Sequence, residues 1–310
     1  MQNQFCIEVT NLQKRFGKIK AVDGVSFKVK KNEIYGVLGP NGAGKTTTVE
    51  TLVGLYSRDG GQISILGMDP EHEKEQLRER VGVQLQSPAL FEKLKVNELI
   101  SLFASFYKEP FSVDRVIKMV DLANKKEMRI DSLSGGQKHR LAVALAMISN
   151  GEIIFLDEPT TGLDPQSRRK LWDIIKELKN IGKTIFLTTH FMDEAEFLCD
   201  RLLIIDHGQV IARGSPADLI NENFEENSVE IFNSFLDEEE IGALAGLSGV
   251  VRQNYDKKEN IVLYTTDVVG TISDLFSFTE KLNKPLENIN IRKPSLEDVF
   301  IKLTGKKIRQ

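Results

Sequence analysis

The sequence predicts an α/β nucleotide-binding domain followed by a small α+β unit, and three features carry that reading. Gly39-Pro40-Asn41-Gly42-Ala43-Gly44-Lys45-Thr46-Thr47 is a glycine loop that ends in Lys-Thr. Two continuous apolar runs, 153–156 and 184–187, each give way to polar residues, as central parallel strands do when ligand groups sit at their carboxyl ends. At 221–227 the composition turns polar and acidic, which marks a linker between two units.

The elements follow in order. Residues 34–38 read as a buried strand entering the glycine loop, and 46–55 read as a helix whose positive N-terminus faces a phosphate. In such a loop the glycines let backbone N–H groups turn inward, Lys45 supplies a point charge and Thr46 offers a hydroxyl to Mg²⁺. Kinases, GTPases and transport ATPases all use loops of this kind, so the loop alone leaves the activity open. Residues 89–150 read as mainly helical, with Val113, Val116, Ile117 and Val120 on one apolar face, which suggests an inserted helical subdomain. Leu171, Ile174, Ile175 and Leu178 recur at helical spacing between the two apolar runs, completing a β-α-β crossover. Beyond the linker the pattern gives strand 229–232, helix 236–245, strands 250–253 and 261–265, helix 268–282, strand 286–291 and helix 296–303. That succession suggests a ferredoxin-like unit over 228–310, with the larger domain occupying 1–220.

Composition narrows the function classes. With 310 residues, 41% apolar and 28% charged, the chain can bury a large core, so disorder is not the reading. A formal charge of −4 gives no overall basic field, and nucleic acid is not expected as a partner. Only Cys6 and Cys199 occur, far apart, which argues against a disulfide framework or zinc site and fits a cytosolic chain. The N-terminus lacks the basic segment and apolar run of a secretion signal. The most apolar stretches are far shorter than the ~20 residues that cross a bilayer, so any membrane span would come from a partner.

Hydrolysis of a triphosphate needs a metal anchor, a group that orients water and charge around the transferred phosphate. Asp157 and Glu158 emerge together at the end of an apolar run; we read Asp157 as the metal anchor and Glu158 as the base. His190 ends the other run, placed to contact the γ-phosphate or the water, although a histidine there can equally be a satisfied structural group. Leu133-Ser134-Gly135-Gly136-Gln137 precedes a helix with Leu141, Ala144, Leu145 and Ile148 on one face. It forms a second phosphate-seeking helix N-terminus, or else a plain Ser134 cap. One triphosphate does not need two such cradles in one subunit, which raises the question of stoichiometry.

With these motifs in this order and spacing, residues 5–220 resemble the ATPase subunits of ATP-binding-cassette (ABC) transporters. The resemblance implies a P-loop NTPase core of ABC-ATPase type with a helical subdomain, and ATP and Mg²⁺ as ligands. It also implies a head-to-tail dimer in which one subunit's Gly39 loop and a second copy's Ser134, Gly135, Gly136 and Gln137 hold ATP between them. By the same likeness Phe16 stacks on adenine where many relatives have tyrosine, and core packing is its other reading. Gln86 matches the glutamine that touches Mg²⁺; Leu85 stands where the family often has proline, and Gln84 is a rival. Asp164 resembles the residue that communicates across the dimer, and with Pro165 it is also a good helix N-cap. The tail 293–305 resembles drug-resistance-type exporter ATPases, which work peripherally at the cytoplasmic face of the membrane with separately encoded integral membrane permease subunits. Its bland reading is a capped amphipathic helix. The competing function is a soluble ABC ATPase acting on ribosomes or nucleic acid.

Overall fold

The computed structural model describes residues 4–86, 90–232, 236–256, 260–284, 286 and 288–304. They divide into two compact units between Pro216 and Ala217.

The first unit begins with β1 (Phe5–Phe16), β2 (Ile19–Lys30), β3 (Ile34–Leu38), α1 (Lys45–Leu52), β4 (Gly60–Ile65), α2 (Lys74–Arg78) and β5 (Val81–Gln84). Three helices follow, α3 (Val96–Ala104), α4 (Val113–Met119) and α5 (Gly135–Met147). The unit continues through β6 (Ile153–Asp157), α6 (Pro165–Asn180), β7 (Thr184–Thr189), α7 (Met192–Leu198), β8 (Arg201–Asp206) and β9 (Gln209–Gly214). A six-stranded sheet has the order β5-β6-β7-β3-β8-β9, parallel except for the edge strand β9, and a separate antiparallel sheet has the order β2-β1-β4. Strands β3, β6 and β7 are buried along their whole length, so both faces must be apolar, which is why they read as continuous runs. Phe27 from the antiparallel sheet stacks on Tyr35 with centroids 5.5 Å apart, and Phe186 packs against Phe27, Tyr35 and Phe155, locking the two sheets through one aromatic cluster.

Register places the site. Leu38 pairs with Thr189, and Asp157 pairs with Thr188. The glycine loop, the two carboxylates and His190 therefore leave adjacent strands at the same carboxyl edge, where open α/β sheets bind ligands. The helical segment expected over 89–150 contains α3, α4 and α5; Ala89 lies outside the described residues. Helix α5 approaches the sheet through Gly82, where an added Cβ would lie 1.9 Å from the Ala146 carbonyl oxygen.

The second unit includes most of α8 (Pro216–Asn223), then β10 (Asn227–Phe232), α9 (Glu238–Ala243), β11 (Val250–Asp256), β12 (Asn260–Thr265), α10 (Val268–Lys281), β13 (Asn288–Arg292) and α11 (Leu296–Thr304). Its antiparallel sheet has the order β11-β12-β10-β13, the strand order of a ferredoxin-like unit, around a core that includes Val229, Ile231, Ile261, Leu263 and Leu275. The expected linker 221–227 needs correction. Asn221, Glu222 and Asn223 complete α8, where Asn223 Nδ2 donates to the Leu219 carbonyl at 2.9 Å, and Asn227 already opens β10. Their polarity reflects an exposed helix end. At the start of helix α11, Asp298 accepts from the Ser295 N–H at 2.8 Å and from the Ser295 hydroxyl at 2.9 Å, and the helix buries Leu296, Val299 and Phe300.

Gly82→Ala should destabilise the first unit by about 1–3 kcal/mol, because β5 and α5 must separate to admit one methyl group. Equilibrium urea denaturation checks this, and an unchanged midpoint would contradict so close an approach.

Candidate nucleotide site

The glycine loop is shaped by two backbone demands. Gly44 adopts φ +102° immediately before α1, and a Cβ there would lie 2.2 Å from the Ala21 carbonyl, so only glycine fits. A Cβ on Gly39 would lie 2.3 Å from the Ile205 carbonyl. Lys45 is buried, and its ammonium donates to the carbonyls of Gly39 and Pro40 at 2.9 and 3.0 Å. Its third partner is Glu158, with Nζ 2.9 Å from Oε1.

Glu158 is the knot of the site. Its φ of +46° is a left-handed conformation unusual for a residue with a side chain, held by its N–H donating to the Thr188 hydroxyl at 3.0 Å. While Oε1 takes Lys45, Oε2 accepts from the Thr161 hydroxyl at 3.0 Å and Gln86 Nε2 at 3.3 Å, with His190 Nδ1 at 3.1 Å. Burial pushes this carboxyl up, but the hydrogen bonds from His190 and Lys45, together with their charges, outweigh it and bring the pKa to about 2. Asp157 moves the other way. Its burial raises the pKa despite hydrogen bonding from Thr188 and the neighbouring Thr46, and Glu158's charge adds to the rise.

A cavity of about 430 Å³ opens over this knot, and Asn41, Gly42, Gly44, Lys45, Thr46, Thr47, Gln86 and Glu158 line it. Ala43 is buried behind the loop. Gln86 and Gln84 divide plainly: Gln86 faces the cavity and touches Glu158, whereas Gln84 donates back to the Leu85 carbonyl at 3.0 Å. Oδ2 of Asp157 and Oε1 of Gln84 are buried acceptors without a hydrogen-bond partner among the described residues. The open Asp157 oxygen, on a carboxyl beside the Thr46 hydroxyl, belongs to a donor set that suits a hard divalent cation.

Other expected residues lie outside the cavity lining. Phe16 is 44% exposed at the end of β1, edge-on to Tyr56 with centroids 5.3 Å apart, so its outer surface is available for stacking. Ser134 is exposed and caps α5 reciprocally with Gln137: Gln137 N donates to Ser134 Oγ at 3.3 Å, and Ser134 N to Gln137 Oε1 at 2.9 Å. Gly135 and Gly136 form the first turn, and a Cβ on Gly136 would meet Ser167 Oγ at 2.6 Å. Asp164 caps α6 by accepting from Ser167 N at 2.9 Å and Ser167 Oγ at 2.6 Å. Both local capping readings are thus observed.

Sequence reasoning missed several contributors. Thr188 and Thr161 hold Glu158, and His139 Nδ1 lies 2.9 Å from the Pro159 carbonyl, tying α5 to the segment that follows Glu158. Ile19, Lys20, Ala21 and His207 complete the cavity wall. The Thr188-Thr189 pair before His190 was the one visible signal, since hydroxyls at the end of a buried strand must find partners.

The ABC transporter family model matches residues 22–161. Nod factor export ATP-binding protein I of Ralstonia nicotianae is 37% identical over 309 residues, which span 98% of this chain and 95% of that protein. The chain belongs to the ABC transporter family. As an ATP-binding subunit of that family, this ABC ATPase is also similar to linearmycin resistance ATP-binding protein LnrL of Bacillus subtilis, with 32% identity over 309 residues spanning 98% of this chain and 99% of the relative. Among solved structures, an ATP-binding cassette in a dimeric post-hydrolysis state bound to ADP and Pi matches with TM-score 0.60 and 26% identity, covering 67% of this chain and 98% of that one. The chain is an ATP hydrolase of ABC type with exporter-type relatives.

The depressed pKa makes Glu158 pH-sensitive in a defined direction. Its ionised form stabilises the fold above the ordinary value of 4.5, and that contribution is lost as pH falls through about 2. In urea denaturation, the stability difference between the parent and Glu158→Gln should be largest above pH 4.5 and shrink steadily below it; a difference independent of pH would contradict the assignment.

Proposed function

We propose that this ABC ATPase is the motor subunit of an exporter, in which two copies close head to tail on ATP, hydrolyse it and separate, driving integral membrane permease subunits. The observation that carries the catalytic part is the Lys45–Glu158–His190 knot at the mouth of the glycine loop. A carboxylate with a pKa near 2 is a poor base. When a triphosphate enters the loop, its oxygens compete for the Lys45 ammonium, and Glu158 exchanges a cation for a neighbouring anion, which raises its basicity. Glu158 can then take a proton from the attacking water, with His190 positioning phosphate or water. The site arms itself only when loaded.

Asp157, Thr46 and Gln86 would hold Mg²⁺, which supplies charge neutralisation at the phosphates. Phe16 offers a stacking face to the adenine. Ser134, Gly135, Gly136 and Gln137 do not line the cavity of their own chain, which supports a role against ATP held by a second copy. Asp164 holds Ser167, which lies close against Gly136, and this nearness to the Ser134 segment supports a role for Asp164 in sensing the second copy. The related cassette solved as a dimer with ADP and Pi supports dimerisation.

Among the described residues no helix is long and apolar enough to cross a membrane, so membrane spans would come from partner subunits, with this chain peripheral at the cytoplasmic face. Phe91, 57% exposed and close behind Gln86, suits transmission to such a partner. The export and resistance named in the relatives favour transport over a soluble role on ribosomes or nucleic acid. We assign the second unit, which begins at Ala217, to an accessory role.

Glu158→Gln should retain ATP binding, lose turnover by about 100-fold or more, and elute as a dimer in the presence of ATP; Lys45→Ala should weaken nucleotide binding. Steady-state ATPase assays, nucleotide titration and size-exclusion chromatography read these outcomes. Undiminished turnover in Glu158→Gln would remove the base, and a monomer trapped with ATP would remove the head-to-tail closure.

A further inference from the structure

Behind these loops lies a buried carboxyl that the chemistry above does not use. Glu194, on α7, is completely buried, and its Oε1 accepts from the indole Nε1 of Trp172 at 2.9 Å. The hydroxyls of Thr160 and Thr189 face the same carboxyl closely enough to favour its charged form, and the Arg168 guanidinium acts in the same direction. Burial outweighs them and pushes the carboxyl up. Oε2 of Glu194, Oγ1 of Thr160 and Nε of Arg168 nonetheless lack a well-formed hydrogen bond among the described residues. A buried cluster with open valences costs stability, and leucine at position 194 would avoid that cost.

The neighbours of Glu194 show what the carboxyl serves. Thr160 lies two residues after Glu158, Thr189 immediately precedes His190, and Trp172 lies on α6, which Asp164 caps. Arg168, one turn before Trp172, covers the Phe191 ring at 3.9 Å and reaches Asp193 at 3.3 Å. One side chain thus bonds the helix that follows Asp164 and faces hydroxyls on the two segments that carry Glu158 and His190.

We propose that Glu194 is a positioning residue for ATP hydrolysis, bracing the Glu158 and His190 loops against each other through Thr160, Thr189 and Trp172. It does not contact nucleotide. The inference rests on the roles given above to Glu158 and His190. The oxygen that accepts from the Trp172 indole is kept by glutamine and lost in leucine. Misplacement of a catalytic group by a fraction of an ångström slows chemistry without loosening substrate binding.

Trp172 is the only tryptophan in the chain and is itself part of the brace, so its fluorescence reports on it. Full-length parent, Glu194→Gln, Glu194→Leu and Thr160→Val are compared for kcat, KM and the change in Trp172 emission on adding ATP and Mg²⁺. Glu194→Leu should lose about tenfold or more in kcat with KM within about twofold, and its emission should no longer respond. Thr160→Val should slow turnover in the same way, and Glu194→Gln should keep most of the parental kcat and its emission response. A parental kcat in Glu194→Leu, a loss confined to KM, or a glutamine variant as slow as leucine would each overturn the proposal. If Glu194→Leu does not fold, Thr160→Val decides alone: a slowed kcat with unchanged KM supports the brace, and a parental kcat refutes it. Glu158→Gln run alongside separates the two readings, since its full activity would remove the base, whereas a fully active Glu194→Leu removes only the brace.

Discussion

The buried ion pair between Lys45 and Glu158 is the contact on which the rest of the site depends. Both side chains are almost fully enclosed, where an unpaired charge would cost several kcal/mol, so neither residue can stand there without the other or an equivalent charge. Lysine spends its remaining donors on the Gly39 and Pro40 carbonyls, and the carboxylate fills its second oxygen with Thr161, Gln86 and His190. The pair thereby ties the glycine loop, the end of β6, the end of β7 and the segment leading to the helical region into one network. A triphosphate that competes for Lys45 must disturb all four together, which is a physical route from binding to conformational change.

That network is built on strain the sheet can bear. Glu158 takes a left-handed backbone conformation directly after a fully buried strand, and Thr188 on the neighbouring strand fixes it from the side. His139 holds the next carbonyl from α5. A carboxylate displaced from the extended path of β6 is aimed across the strand ends, toward Lys45 and the loop. The close contact of Gly82 with α5 and the aromatic cluster around Phe186 supply the rigidity that keeps such a conformation in place.

Much of this is visible in the sequence because strong local rules govern it. Continuous apolar runs gave β6 and β7, and glycines spaced around Lys45 gave the phosphate loop, since no other residue fits where Gly44 sits. The strands and helices of the second unit lie near the bounds read from the sequence, and Asp237 and Asp267 cap α9 and α10. Less legible were contacts that depend on which strands become neighbours. Thr188 reaches Glu158 and Asp157 only because β6 lies beside β7, and nothing local to either segment says so. The polar end of α8 read as linker for a related reason: exposed helix ends and linkers share a composition, and the hydrogen bonding that separates them is invisible in residue types. Ser134 and Asp164 each cap a helix, which explains their local geometry and leaves room for the site roles proposed for them.

The central claim is that nucleotide converts Glu158 from a lysine-bound carboxylate into a base. The most direct test follows the ¹³C signal of the Glu158 side-chain carboxyl, assigned by its loss in Glu158→Gln, through an acid titration with and without Mg²⁺ and a non-hydrolysable ATP analogue. Without nucleotide the carboxyl should stay ionised to about pH 3 or below. With the analogue bound, its midpoint should rise by about one unit or more. A midpoint that stays low when the analogue is bound would show that the Lys45 pair survives loading, and would contradict the account.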